Sequence, residues 1–271
     1  MSRELLTTAE AARIAGVGAS SVKRWADQEV LRCVRTAGGH RRFYRDDIEA
    51  FMREHGDAIV GVAAEWGDIV LRGGPFEIQG HLMHARDRLG SWHAVADELG
   101  IALGEIGMRW ARGEITVIEE HVGSENLSRA LQRAIEAIPS TPDAPRCLLA
   151  TAENDEHTLG LSLVELCLRE AGWGTVWSGR KTPTKALAEL ARSGDIDMLA
   201  LSASAASTNA TELANEAKAL GDACREAGVI LILGGSGAWP ETPHYGNRIR
   251  DLPTLSRLAT TWRASIARRT G

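Results

Sequence analysis

"CLLATAENDEHTLG", residues 147 to 160, decides the fold. Its first six residues form a short apolar run with the length of a buried strand. A polar loop follows, and then a helical pattern near 157 to 171. The same succession recurs downstream. "TVW" (175 to 177), "MLALS" (198 to 202) and "VILILGG" (229 to 235) read as strands, with helical segments near 184 to 193, 207 to 227 and 253 to 268. Alternation of this kind builds a parallel sheet with helices on both faces. Open sheets of that type bind ligands beyond the carboxyl ends of their strands. Chemistry is therefore expected in the loops 153 to 160, 203 to 207 and 234 to 240.

The first loop carries Asp155, His157 and Gly160 in an Asp-x-His-x-x-Gly pattern. An imidazole can offer one nitrogen to a metal while a neighbouring carboxylate takes the other N–H, and glycine lets a large group approach the backbone. Taken alone, an Asp and a His on one loop also fit a surface pair. The four cysteines, Cys33, Cys147, Cys167 and Cys224, lie far apart and form no Cys-x-x-Cys. That spacing suits neither a structural zinc site nor a disulfide framework, and a reduced cytoplasmic location is expected. The N-terminus has no hydrophobic signal core, and no apolar run approaches the ~20 residues that span a bilayer, so no membrane partner is expected.

Upstream of Pro139-Ser140-Thr141-Pro142, a linker by composition, residues 57 to 138 read as helix throughout. Breaks at Gly73-Gly74-Pro75, Gly90-Ser91 and Arg112-Gly113 divide them into four helices. Thr116 and Glu119 have capping-box spacing, so a helix starts there. Trp110 then ends one helix while Glu120 and His121 open the next, at the same end of a bundle.

The N-terminal stretch differs in charge. The whole chain has a net charge of -5, yet residues 20 to 45 hold seven Lys/Arg (Lys23, Arg24, Arg32, Arg35, Arg41, Arg42, Arg45) against Asp27 and Glu29. Such a local excess of cations marks a surface for polyanions. Thr7 and Glu10 form another capping box, Gly16 and Gly18 break the helix they start, and Ser20 and Ser21 are placed to cap a second one. A hairpin signal at Gly38-Gly39 and a helix from Asp46 to about His55 follow. The order is that of a winged helix-turn-helix.

These segments carry three resemblances. Residues 1 to 56, with the wing motif Thr36 to Phe43, resemble the MerR-type winged helix-turn-helix family. The likeness implies that Ser21, Lys23 and Arg24 on the second helix and His40, Arg41 and Arg42 on the wing contact double-stranded operator DNA. Residues 145 to 271 resemble the cobalamin-binding module shared by methionine synthase and corrinoid proteins, a flavodoxin-like parallel α/β domain. There the likeness makes His157 the lower cobalt ligand, Asp155 its orienting partner, and Gly160, Ser202, Gly234 and Gly235 the lining for the cofactor's nucleotide tail. The hydrophobic residue usual two positions after the serine is Ser204 here.

The four-helix bundle, residues 57 to 140, carries Trp110, Glu120 and His121 in the Trp-x9-Glu-His spacing of CarH-type light-dependent regulators. By this resemblance the three cap the upper axial group of adenosylcobalamin, and the chain is a light-responsive transcriptional regulator, a repressor and not an enzyme. Its expected self-association is a dimer or tetramer, which multiplies the affinity of single heads. Members carry a histidine directly after the tryptophan, where this chain has Ala111. A light-independent cobalamin-level sensor, a corrinoid methyl carrier and a regulator with a degenerate cobalamin fold remain as alternatives.

Overall fold

Thr7 ends one element and starts another. It is the last residue of strand β1 (Leu5–Thr7) and the N-cap of α1 (Thr8–Ala15). Its side chain accepts from the Glu10 N–H at 3.2 Å, while the Glu10 carboxylate accepts from the Thr7 N–H at 2.8 Å. The capping box expected there thus forms. This is a computed structural model, and it describes residues 4–17, 19–27, 29–36 and 39–270, without the side chains of residues 19, 20, 24 and 267–270. Two compact units divide at Ala130 and Leu131.

In the first unit, α1 stops at Gly16, whose left-handed φ of 64° suits the absence of a side chain. Helix α2 (Ala19–Asp27) begins before the paired serines, so Ser20 and Ser21 lie inside its first turn and not at the N-cap position expected for them. Buried Val22 and Trp25 set its phase and turn Ser21 inward. Strands β2 (Val34–Arg35) and β3 (Arg41–Tyr44) form the wing, and the short sheet has the antiparallel order β1-β3-β2. Gly39 closes the wing turn at φ 77°, while Gly38 lies outside the described residues. Phe43 and Ile48 join Trp25, Leu31 and the alanines of α1 in one core.

Helix α3 (Arg45–Arg72) runs through the expected boundary at 56/57 without a break. The reason is phase: Ile48, Gly56, Ala63, Trp66 and Val70 are buried along it, and a helical glycine costs only about 1 kcal/mol. The second half of α3 forms the bundle with α4 (Pro75–Leu89), α5 (Trp92–Ala111) and α6 (Val117–Glu136). All three expected breaks fall between these helices. Helix α5 packs against α3 and α4, and also against α2. Trp66 is buried and donates its indole N–H to Glu98 at 3.1 Å, and Arg88 grips the same carboxylate at 2.8 and 3.1 Å.

The second unit alternates β4 (Arg146–Thr151), α7 (Leu159–Glu170), β5 (Gly174–Gly179), α8 (Thr184–Ser193), β6 (Met198–Ser202), α9 (Ala210–Ala227) and β7 (Ile230–Gly234). A short strand β8 (Asn247–Arg248) and α10 (Leu252–Thr270) complete it. The sheet has order β5-β4-β6-β7-β8 with every pairing parallel. Side chains alternate between two cores, as strands buried on both faces require. Leu148, Ala150, Leu199 and Leu201 pack with α8 and α9, while Cys147, Leu149, Met198 and Ala200 pack with α7 and α10. Chain direction in strand order reverses between β4 and β6, so their carboxyl ends flank the crevice where such sheets bind ligands.

Gly123 sits where α6 crosses the end of α3, and a Cβ there would lie 2.9 Å from the Val70 carbonyl oxygen. Replacing Gly123 with Ala should therefore overpack the bundle by ~1–3 kcal/mol. Chemical unfolding followed by circular dichroism should show a lower midpoint for the bundle transition. An unchanged midpoint would mean that the helices do not approach this closely.

Candidate functional site

The carboxyl end of β4 leads into a loop built around one buried carboxylate. Asp155 folds back toward the strand, its N–H donating to the Ala152 carbonyl at 2.9 Å and its carbonyl accepting from Thr151 Oγ1 at 2.7 Å. The Asp155 side chain has no exposed surface. Its Oδ1 accepts from the His157 N–H at 2.8 Å and lies 2.9 Å from His157 Nδ1. Oδ2 accepts from the Ser204 N–H at 2.5 Å and from Ser207 Oγ at 2.6 Å, both in the loop after β6. Burial alone would raise this carboxyl, but the Ser207 hydroxyl and the N–H groups of His157 and Ser204 outweigh it and hold Asp155 well below the ordinary range.

An ionised carboxylate only accepts hydrogen bonds, so the bonded Nδ1 of His157 carries the proton. With its single proton there, the ring keeps a lone pair on Nε2. That side chain is 66% exposed, and the ring flanks an open cavity of about 360 Å³ also lined by Lys181, Glu212 and Glu216. The arrangement can present one neutral nitrogen donor with its partner already fixed. Further bonds brace the loop. Glu216 Oε1 accepts from the Glu153 N–H at 3.1 Å, and Glu153 Oε2 accepts from Thr184 Oγ1 at 2.6 Å. Burial pushes the Glu216 carboxyl up to about 7, against the pull of the Glu153 N–H.

Gly160, Ser202, Gly234 and Gly235 meet beside this loop. A Cβ on Gly235 would lie 2.2 Å from the Ala203 carbonyl oxygen, and its φ is 79°, so the chain itself demands glycine there. Gly160 and Gly234 face no such demand. Their Cβ atoms would rest 3.8 Å from Ser202 Oγ and 3.5 Å from the Leu201 carbonyl oxygen, so both leave room for another group. Trp239 holds the Gly234 carbonyl through its indole N–H at 2.9 Å, and Arg248 holds that of Gly235 at 2.6 Å. Sequence reasoning missed Thr151, Ser207, Trp239 and Arg248. Ser207 lay in a flagged loop, where a hydroxyl near a buried carboxylate was the available signal.

In the bundle, Trp110 is half exposed at the end of α5. The capping box of Thr116 and Glu119 starts α6, with bonds of 2.7, 2.8 and 3.2 Å. Glu120 accepts from Ser124 Oγ at 2.7 Å and lies 2.9 Å from Nδ1 of the exposed His121. Ile118 and Val122 beside them are exposed. His81 stands edge-on to Trp66 at 4.5 Å and pairs with Glu65, while His84 is exposed and His93 lies near Ser91. Among the described residues no three His, Cys, Asp or Glu side chains gather as a metal cluster, and no helix is long and apolar enough to cross a membrane.

The head departs from expectation at two positions. Arg41 is buried and paired with Asp27 at the end of α2, so it faces the fold and not a phosphate. Ser21 is 1% exposed, which takes it off any groove-facing surface. Lys23 and Arg42 are partly buried, His40 is exposed, and the Arg24 side chain lies outside the described residues. The wing keeps His40 through its N–H to Thr36 Oγ1 at 3.2 Å and Arg42 against the Arg41 carbonyl at 3.0 Å.

A helix-turn-helix domain family matches residues 5–56, and the B12 binding domain family matches residues 145–243. Over 85 residues the chain is 33% identical to the HTH-type transcriptional repressor CarA of Myxococcus xanthus, covering 31% of this chain and 28% of that protein. It thus spans less than a third of that repressor's length. Dimethylamine corrinoid protein 3 of Methanosarcina acetivorans is 21% identical over 159 residues, 58% of this chain and 70% of that protein. The solved monomethylamine corrinoid protein of Methanosarcina barkeri superposes with a TM-score of 0.56 at 17% identity, covering 73% of this chain and 96% of that one, a likeness of fold. The chain therefore joins a helix-turn-helix domain to a B12 binding domain, a composition consistent with a CarH-type cobalamin-binding regulator.

Proposed function

We propose that the chain is a cobalamin-dependent, light-responsive transcriptional repressor that binds double-stranded operator DNA and carries no enzymatic step of its own. One observation carries the reading: His157 presents a free Nε2 while the buried carboxylate of Asp155 fixes its other nitrogen. A lone nitrogen donor, with no cluster of further ligands among the described residues, fits a metal whose equatorial ligands arrive with a macrocycle. Gly160 and Gly234 place no side chain beside Ser202, which leaves the backbone open to the same group. Adenosylcobalamin would supply a cobalt–carbon bond that light can break. On this reading His157 would hold the cobalt, Gly160, Ser202, Gly234 and Gly235 would line the tail, and Trp110, Glu120 and His121 would recognise the adenosyl group.

The head supplies the output. Lys23, Arg24, His40 and Arg42 contact DNA, Ser21 and Arg41 support them from inside, and two or more copies of the chain present their heads together. Helix α5 carries Trp110 at one end and packs against α2, so a shift of α5 has a direct route to the recognition helix. A corrinoid methyl carrier is the second reading, favoured by the likeness to dimethylamine corrinoid protein 3. The domain matched at residues 5–56 tells against it, since a carrier has no use for duplex recognition.

Full-length protein mixed with adenosylcobalamin in the dark should give the absorption spectrum of a histidine-ligated cofactor. His157→Ala should either cut affinity by about 10-fold or more or restore the spectrum in which the cofactor keeps its own base. Green light should then change the spectrum and the oligomer size. Uptake without any light response would leave a cobalamin-level sensor, and absence of uptake would remove the cofactor from the reading altogether.

Operator binding titrated against salt separates the two wing arginines. Arg42→Ala should reduce the slope of log affinity on log salt by about 1, the mark of one lost phosphate contact. Arg41→Ala should weaken binding by loosening the wing while leaving the slope unchanged. If the two variants lose equal slope, Arg41 reaches the phosphates after all.

A further inference from the structure

We propose that Ser204 is a positioning residue that holds His157 in the tautomer and orientation a metal ligand needs. This rests on the proposed cobalamin site for its purpose but on geometry for its substance. Ser204 follows β6 by two residues and meets the His157 loop twice. Its backbone N–H donates to Asp155 Oδ2 at 2.5 Å, and its Oγ lies 3.1 Å from His157 Nδ1. The same Oγ accepts from the Ala206 N–H at 3.2 Å, which fixes the hydroxyl oxygen in place.

The Nδ1–H of His157 therefore has two acceptors, Asp155 Oδ1 at 2.9 Å and Ser204 Oγ at 3.1 Å. A shared N–H of this kind resists ring rotation better than one bond does, because turning the ring forfeits both at once. That matters for a side chain as exposed as this one. Left with only the carboxylate, an exposed ring keeps much of its rotational freedom, and ordering it would draw on the free energy of ligand binding. Moving the proton to Nε2 would block that nitrogen as a ligand and set the Nδ1 lone pair against the Asp155 carboxylate. The Ser204 O–H also hydrogen-bonds the Asp155 carboxylate, which leaves its oxygen to accept from the Nδ1–H, so the exchange would force the hydroxyl to turn from the carboxylate to the Nδ1 lone pair.

An apolar side chain at 204 would keep the backbone bond to Asp155 and lose the second acceptor. Ser204→Ala isolates that difference, and Ser204→Thr returns the hydroxyl. The test uses the full chain labelled with ¹⁵N-histidine and no added cofactor, with His157→Ala to assign the ring signals. Wild type and Ser204→Thr should show one tautomer, protonated at Nδ1, while Ser204→Ala should show averaging toward the other. Titration with adenosylcobinamide, which has no nucleotide tail and so depends on the protein nitrogen, should then be roughly 2- to 10-fold weaker for Ser204→Ala, the size of one hydrogen bond. Identical ring signals in Ser204→Ala and wild type would overturn the proposal. If no variant takes up a corrinoid, the cofactor reading fails, and the histidine spectra still decide what Ser204 does.

Discussion

Four donors converge on the carboxylate of Asp155, and the second unit is organised so that they can. Burying an unpaired carboxylate costs several kcal/mol, so the group is tolerable only because each oxygen is satisfied. Two of the donors come from the loop after β4 and two from the loop after β6. The bond network thus ties together the loops that leave two adjacent, paired strand ends. Its pH behaviour follows from the lowered pKa of Asp155. A carboxyl more acidic when folded than when unfolded stabilises the fold above the ordinary aspartate range, and that contribution is lost as pH falls through the range and below.

The sheet explains why this network lies where it does. With β4 between β5 and β6, the chain steps outward to β5 on one side and to β6, β7 and β8 on the other, leaving a crevice at the reversal. Apolar residues on both faces bury β4 beyond Arg146 and all of β6, so the loops leaving them start from fixed points. Glu216 and Thr184 brace the outer side of the His157 loop, and Ser204 and Ser207 its inner side. A ligand donor set on a rigid strand end loses little entropy on binding.

Much of this was legible in the sequence. Strands β4, β6 and β7 and helices α7 to α10 announced themselves through period and length, because apolar patterning is what burial demands. The breaks of the bundle followed from glycine and proline, and both capping boxes from four-residue spacing. The misses have physical causes. Strands β1 and β8 have three and two residues, too short for any period. Arg41 and Ser21 looked like contact residues because sequence gives charge and polarity but not direction. The partner that turns Arg41 inward, Asp27, lies 14 residues away, and nothing local distinguishes it from a surface acid.

Burial separates the two histidine–carboxylate pairs in the same manner. His121 and Glu120 match His157 and Asp155 in distance, 2.9 Å in each case, and both histidines are exposed. The carboxylates differ. Glu120 is 29% exposed and adjacent to water, where such a pair contributes about 0–1 kcal/mol, so His121 is free to leave it. Asp155 has no contact with solvent, so His157 can leave only by taking one of four donors from a buried charge. A lasting metal ligand needs the second kind of pair, and that is the kind His157 makes.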